Sequence, residues 1–226
     1  MTQLVGWHGV LIGWFAFAGI HLLLSSNLLR GRLIARLGER RFRGLYSLGA
    51  LSTFVWLAIV YADAKHSGPV LWSLSGTPFL REGSIALSFV ALSLAIASFF
   101  QTRPTDIGAS PDRLSRGLTR ITRHPAFMFF GIFALSHLLV NGHLSDVIFF
   151  GGFPVFAIMG SLHMDSRKRR DPALAAYYAN TSLLPLVAIA AGRNHMAVRE
   201  FPLPGLLIGV IASGLLFAFH SHLFGG

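Results

Sequence analysis

The run LVGWHGVLIGWFAFAGIHLLLSSNLL at residues 4–29, with RGRLIARLGERRFRG at 30–44 directly behind it, decides the fold. The first stretch holds no Asp, Glu, Lys or Arg, and the second is crowded with arginine. A spanning helix needs about 20 apolar residues. Short loops on the cytoplasmic side of a membrane collect Lys and Arg. An uncharged run closed by a basic loop therefore reads as a membrane span leaving the bilayer on the cytoplasmic side. The run has no basic leader and no small-residue cleavage site, so it is expected to stay as a span and not be removed as a signal peptide.

The rest of the chain repeats this pattern. Further apolar segments are expected at 45–62, 84–100, 125–140, 147–164 and 203–223, of which 84–100 and 125–140 are short. The stretch 177–191 contains Pro185 and follows a basic run. It is expected to be an amphipathic or re-entrant piece on the cytoplasmic side. Arginines concentrate at 30–44, at 101–124 (including Arg113) and at 165–202, whereas the intervening loops carry Lys65 and Arg81. That alternation predicts an inner-membrane protein with six spans, basic loops in the cytoplasm and both termini outside.

Composition agrees. Of 226 residues, 53% are hydrophobic and 12% charged, against about 25% charged in a soluble domain. The net charge of +10 sits in short loops between apolar runs, which favours contact with a lipid bilayer over binding of nucleic acid. The expected fold class is all-α, a polytopic membrane helix bundle forming one domain over 1–226. Small residues such as Gly13, Gly19, Gly49 and Gly131 are expected at helix contacts. No cysteine is present, so disulfides, thiolate catalysis, iron–sulfur clusters and cysteine zinc sites are excluded. G-x-S-x-G and H-E-x-x-H are absent, and Asp63, Asp106, Asp146 and Glu200 all read as loop residues.

Ionisable residues inside spans are costly and mark functional sites. His21 lies in the first segment and His137 in the fourth; His163 lies near the cytoplasmic end of the fifth, and His8 and His220 near outer ends. At a rise of about 1.5 Å per residue, His21 lies roughly 13 Å from Arg30 and His137 roughly 21 Å from Arg123, both compatible with mid-membrane depth. A neutral imidazole there can ligate iron. It can also simply hydrogen-bond a neighbouring helix, as polar groups between spans commonly do. The second candidate is RGLTRITRHP at 116–125. Proline at a helix start leaves donors pointing outward. With Arg120, Arg123 and His124 beside them, they form a candidate anion site for a carboxylate, a haem propionate or a lipid phosphate. A plain positive-inside anchor reads equally well. The basic run 167–170 is a topology and anionic-lipid element.

These motifs resemble the NnrU family, bacterial membrane proteins associated with nitrite and nitric oxide reduction, whose domain also occurs in 15-cis-zeta-carotene isomerases. The likeness rests on HLLLSS at 21–26, RGLYS at 43–47, GLTRITRHP at 117–125, LSH at 135–137, and Tyr178 with TSLLP at 181–185 and Gly192-Arg193. It implies a b-type haem whose iron ligands are His21 and His137, with propionates anchored by Arg120, Arg123 or Arg43. For function it implies an association with nitrite and nitric oxide reduction. The alternative is a haem-dependent cis–trans isomerase acting on a carotenoid or other polyene. The isomerase branch carries a cysteine three residues before the second histidine, where this chain has Ala134. A more distant likeness to isoprenylcysteine and phospholipid methyltransferases rests on the R-H-P helix start. It implies instead a cofactor or lipid anion held at Arg123 and His124, although the paired glutamates of those enzymes are absent.

Overall fold

The computed structural model describes residues 6–105 and 115–224. Arg113 and Asp106 lie outside the described residues. Among those described there is no strand beyond one isolated antiparallel bridge between Val70 and His143. The expected all-α class holds. Four helices are long and apolar enough to cross a membrane, and two further apolar helices are shorter.

The chain divides into two compact units. The first comprises residues up to 77 together with 138–152. Its helix α1 (Gly6–Ser25) contains no charged residue. It stops four residues short of the expected end because Ser26 adopts an extended conformation and caps a new helix, α2 (Asn27–Leu37). α2 carries Arg30, Arg32 and Arg36 and closes on Gly38 at φ 77, whose N–H returns to Ile34. α3 (Glu39–Ala64) follows at once. The arginine-rich 30–44 is thus helical, not an open loop. Helix α1 meets α3 at Gly13, where a Cβ would come within 3.3 Å of the Leu57 Cα. Small residues let spans approach closely in this way. Gly49 faces Ile20 at ordinary contact distance, whereas Gly19 faces open space and packs nothing. Leu45, Leu48, Leu51, Val55 and Ile59 of α3 are exposed. This apolar stripe is the surface a bilayer solvates.

The second unit comprises 78–137 and 153–226. α4 (Pro78–Ala97) begins six residues earlier than expected and runs through a 3-10 turn to Phe100. This makes the third segment a full-length candidate span. α10 (Leu203–Ala218) lies against it through Gly205 and Gly209, and Ser93 Oγ donates to Ser213 Oγ at 3.1 Å. α5 (Leu118–Ile121) precedes α6 (Pro125–Leu138). α7 (Leu144–Lys168) contributes its first part to the first unit and its remainder to the second. α6 packs on that remainder with Gly131 against Pro154 and Ala157, and Phe127 edge-on to Phe156. Ser84 and Ser88 of α4 both reach Ser136 of α6. The region expected to be amphipathic or re-entrant is broken into α8 (Ala175–Asn180) and α9 (Val187–Ala190), separated by Pro185 and by Leu186 at φ 66. Neither piece approaches spanning length. The short α11 (His220–Phe224) follows α10.

Two carboxylates expected in loops lie in α-helices, and a third, Glu200, ends the 3-10 turn Val198–Glu200. Asp63 is in the last turn of α3 and Asp146 in the first turn of α7. Hydropathy ends a span at its first charge, but the backbone hydrogen-bond ladder continues past it.

Candidate functional site

His21 belongs to the first unit and His137 to the second. Each is locked onto its own helix in the same way. His21 Nδ1 lies 3.1 Å from the carbonyl oxygen of Phe17, and His137 Nδ1 lies 2.8 Å from that of Phe133. A carbonyl can only accept, so each Nδ1 carries the proton and each Nε2 carries the lone pair. Aromatic rings set the orientation further. Phe17 and Tyr46 flank His21 at 4.4 and 5.4 Å between centroids, and Phe133 flanks His137 at 4.5 Å. Ala134, one turn before His137, is fully buried.

The Arg120–His124 cluster sits wholly in the second unit, and local sequence explains its shape. Gly117 at φ 52 opens α5, and a Cβ there would lie 2.6 Å from the Glu200 carbonyl oxygen. Thr122 and Arg123 then run alongside 182–183. Thr122 Oγ1 donates to the Leu183 carbonyl at 2.6 Å, and the Arg123 N–H donates to the Ser182 carbonyl at 2.8 Å. His124 precedes Pro125, which starts α6 at a position where its missing N–H costs nothing.

Each arginine here meets a carboxylate of the same unit. Arg120 Nε and Nη2 grip the two carboxylate oxygens of Glu200 at 2.7 and 2.8 Å, and Nη1 reaches Asn194 Oδ1 at 2.9 Å. Glu200 also accepts the Gly117 N–H at 2.9 Å. The Arg120 hydrogen bond, then the Gly117 N–H, pull the Glu200 carboxyl down to about 2, and Glu200 raises Arg120 in turn. Arg43, the third expected propionate anchor, is in the first unit and bonds Glu39 at 2.8 Å on an exposed face.

Asp165, near the end of α7, is the hub of the buried part. Its Oδ1 accepts from His124 Nε2 at 2.7 Å and from the Tyr178 hydroxyl at 3.3 Å, and its Oδ2 pairs with Arg123 Nε at 3.2 Å. That last contact is an ion pair without hydrogen-bond alignment, since Arg123 Nε makes no hydrogen bond. The guanidinium lies 4.5 Å over the Tyr178 ring. Tyr177 donates to the Arg123 carbonyl at 3.0 Å. Burial, followed by the Asp165 charge, pushes the Tyr178 hydroxyl up to about 12, and burial raises Tyr177 too. Both phenols therefore act as neutral donors. His124 is fully buried and its Nδ1 has no partner. The cluster ties α6, α7 and α8 together. An incoming phosphate or propionate at Arg120 or Arg123 competes with a carboxylate already in place.

Sequence reasoning found Arg120, Arg123 and His124 but missed Asp165, Tyr178 and Glu200 as their partners. Asp165 was visible only as a carboxylate closing an apolar run. Its distance along the chain from His124 hid the pairing.

The fold and these sites define an all-helical, multi-pass membrane protein with oriented histidines inside apolar helices. The chain belongs to the NnrU family, whose model, described as NnrU protein, matches residues 10–226. It is 28% identical over 210 residues to the chloroplastic 15-cis-zeta-carotene isomerase of Arabidopsis thaliana, and 27% identical over 210 residues to that of Zea mays. Each alignment covers 89% of this chain and 57% of the relative, so the chain spans little more than half the length of these proteins. No solved structure matches the chain.

Proposed function

We propose that this chain is a haem-binding membrane protein that isomerises a cis double bond of a conjugated, membrane-dissolved polyene such as 15-cis-zeta-carotene. The observation that carries the reading is the likeness to two enzymes named for that reaction, extending over 89% of the chain. His21 and His137 are the proposed iron ligands, and their chemistry fits the group. In each, Nδ1 is spent on the i−4 carbonyl, which makes Nε2 the coordinating atom and fixes the ring. Haem b, when bound, supplies an iron centre whose coordination can change with oxidation state. The chain's own part is to hold each imidazole in one tautomer, to surround it with Phe17, Tyr46 and Phe133, and to keep charge away from an apolar substrate. Ala134 offers no thiol, so the two imidazoles are the residues that would hold the haem iron here.

Association with nitrite and nitric oxide reduction is the second reading, favoured by the family match over 10–226. It calls on the same two histidines. The proposed setting is the bacterial inner membrane with the basic segments cytoplasmic, supported by the arginine distribution.

Cells making 15-cis-zeta-carotene discriminate the readings. Co-expression of this chain should shift the 15-cis bond to trans, and His21→Ala or His137→Ala should abolish the shift. An unchanged isomer ratio beside haem-dependent consumption of nitric oxide by the purified protein would replace the first reading with the second.

A further inference from the structure

Among the described residues, Asp146 touches none of His21, His137, Arg120, Arg123 and His124 in any hydrogen bond or ion pair. Its side chain is completely buried in the first turn of α7, in the first unit. Its two oxygens have different duties. Oδ1 accepts the Tyr61 hydroxyl at 3.0 Å and the His66 backbone N–H at 3.3 Å, which fixes the carboxylate plane. Oδ2 faces two imidazoles, His66 Nδ1 at 2.7 Å and His143 Nδ1 at 3.6 Å. One ligand atom from each of His66, His143 and Asp146 lies within 4.8 Å of the other two. The imidazoles are half-exposed and cover the carboxylate from the loop side.

The backbone around this point is tightly built. Residues 67–71 and 142–145 are cross-linked by Leu71 N–H to Gly142 at 2.7 Å, Leu144 N–H to Pro69 at 2.9 Å, Ser145 N–H to Ser67 at 3.2 Å, and Ser67 N–H to Ser145 Oγ at 2.9 Å. His66 itself sits at φ 55, a left-handed conformation uncommon outside glycine, although histidine adopts it more readily than most side-chain-bearing residues. Such an outlier, held in place by its surroundings, is typical of a position kept for function.

We infer that His66, His143 and Asp146 form a binding site for one divalent transition-metal ion of the zinc class, with its fourth position open to water. Zinc binds imidazole nitrogen and carboxylate oxygen at about 2.0–2.2 Å, so adjacent donors in a tetrahedral site stand about 3.3 Å apart. The 3.6 Å separation of His143 Nδ1 from Oδ2 already fits. The 2.7 Å separation of His66 Nδ1 from Oδ2 is the length of a proton-bridged pair, and it opens by roughly half an ångström when the ion replaces that proton. Tyr61 is the outer-shell partner that orients a ligating carboxylate. Two imidazoles and one carboxylate are a borderline donor set that suits zinc and its neighbours better than calcium or magnesium. The ion pins the 65–71 loop to the start of α7. None of these residues is a proposed iron ligand, so this site stands or falls independently of haem.

The test uses the full chain in detergent, purified without a histidine tag, stripped with chelator, dialysed against zinc and assayed by elemental analysis. Wild type should retain one equivalent of zinc per chain. His143→Ala and His66→Ala should weaken binding at least tenfold while helix content by circular dichroism is unchanged. Cobalt in place of zinc should give visible bands of tetrahedral coordination in wild type that both variants lack. Asp146→Asn should behave likewise, and the two histidine variants, altered at partly exposed side chains, keep the test decisive if that protein does not fold. Zinc retained equally by wild type and both histidine variants, or by none of them, would overturn the assignment and leave His66–Asp146 as a simple ion pair.

Discussion

Asp165 is asked to satisfy His124, Arg123 and Tyr178 at once, within a cluster that water scarcely reaches. Removing one partner of a buried ion pair strands the other charge, typically at a cost of several kcal/mol. Asp165→Asn should therefore destabilise the protein by about 3 kcal/mol. Tyr178→Phe, which deletes a single hydroxyl donor, should cost about 1 kcal/mol. Thermal unfolding midpoints in one detergent would rank them. Glu200 gives a pH prediction. Its carboxyl falls from an ordinary 4.5 to about 2, so its contribution is complete above about 4.5 and is lost as pH falls through about 2. Hydrogen exchange at the Gly117 amide should be slower in wild type than in Glu200→Gln at pH 5, and the difference should vanish near pH 2. Legibility at this scale was uneven. His21, His137, Arg120, Arg123 and His124 stood out because charge or imidazole is conspicuous beside apolar runs. The carboxylates that answer them did not, because Asp165 follows His124 by 41 positions and Asp146 follows His66 by 80, and hydropathy carries no information about such pairings.

Helices in this protein meet through missing side chains. A Cβ on Gly209 of α10 would collide with the backbone carbonyl of Ser93 in α4, and backbone cannot rotate away. Gly214 has nothing within 4 Å. Gly209→Ala should therefore cost about 2 kcal/mol by overpacking, whereas Gly214→Ala should be neutral or slightly stabilising. The measurement is again the unfolding midpoint of the two variants side by side. Apolar runs located six helices, of which four reach spanning length and two, Pro125–Leu138 and Leu203–Ala218, fall short of it, and small-residue reasoning identified Gly13 and Gly131 as contact points. Boundaries were less legible. Ser26 ends α1 early because its hydroxyl caps the next helix, and Pro78 starts α4 early because proline is favoured in a first helical turn regardless of the hydropathy around it. The arginines of 30–44 looked like loop because charge marks the membrane edge. It does not mark the end of a helix.

For the molecule as a whole, the outer surface of α3 is apolar and the arginines gather in alternate connections. The absence of cysteine makes that arrangement easy to test, since any introduced thiol is unique. A membrane-impermeant maleimide should label Ser73→Cys from outside intact cells and Arg170→Cys only after permeabilisation. The family could be read from HLLLSS, RITRHP and LSH, and the proposed iron ligation rests on that resemblance. Composition alone gave only a membrane protein, since any apolar core of this size is compatible with many chemistries. The two imidazoles, each held by its Nδ1 on a backbone carbonyl, carry the account. The most direct test is the oxidised and reduced absorption spectrum of the detergent-purified protein, wild type beside His21→Ala and His137→Ala. Ligation of haem by both histidines would give a Soret band with sharp reduced α and β bands in wild type, lost or shifted to a five-coordinate form in each variant. A wild type that stays colourless after reconstitution with haem would contradict it and return both histidines to a role in helix packing.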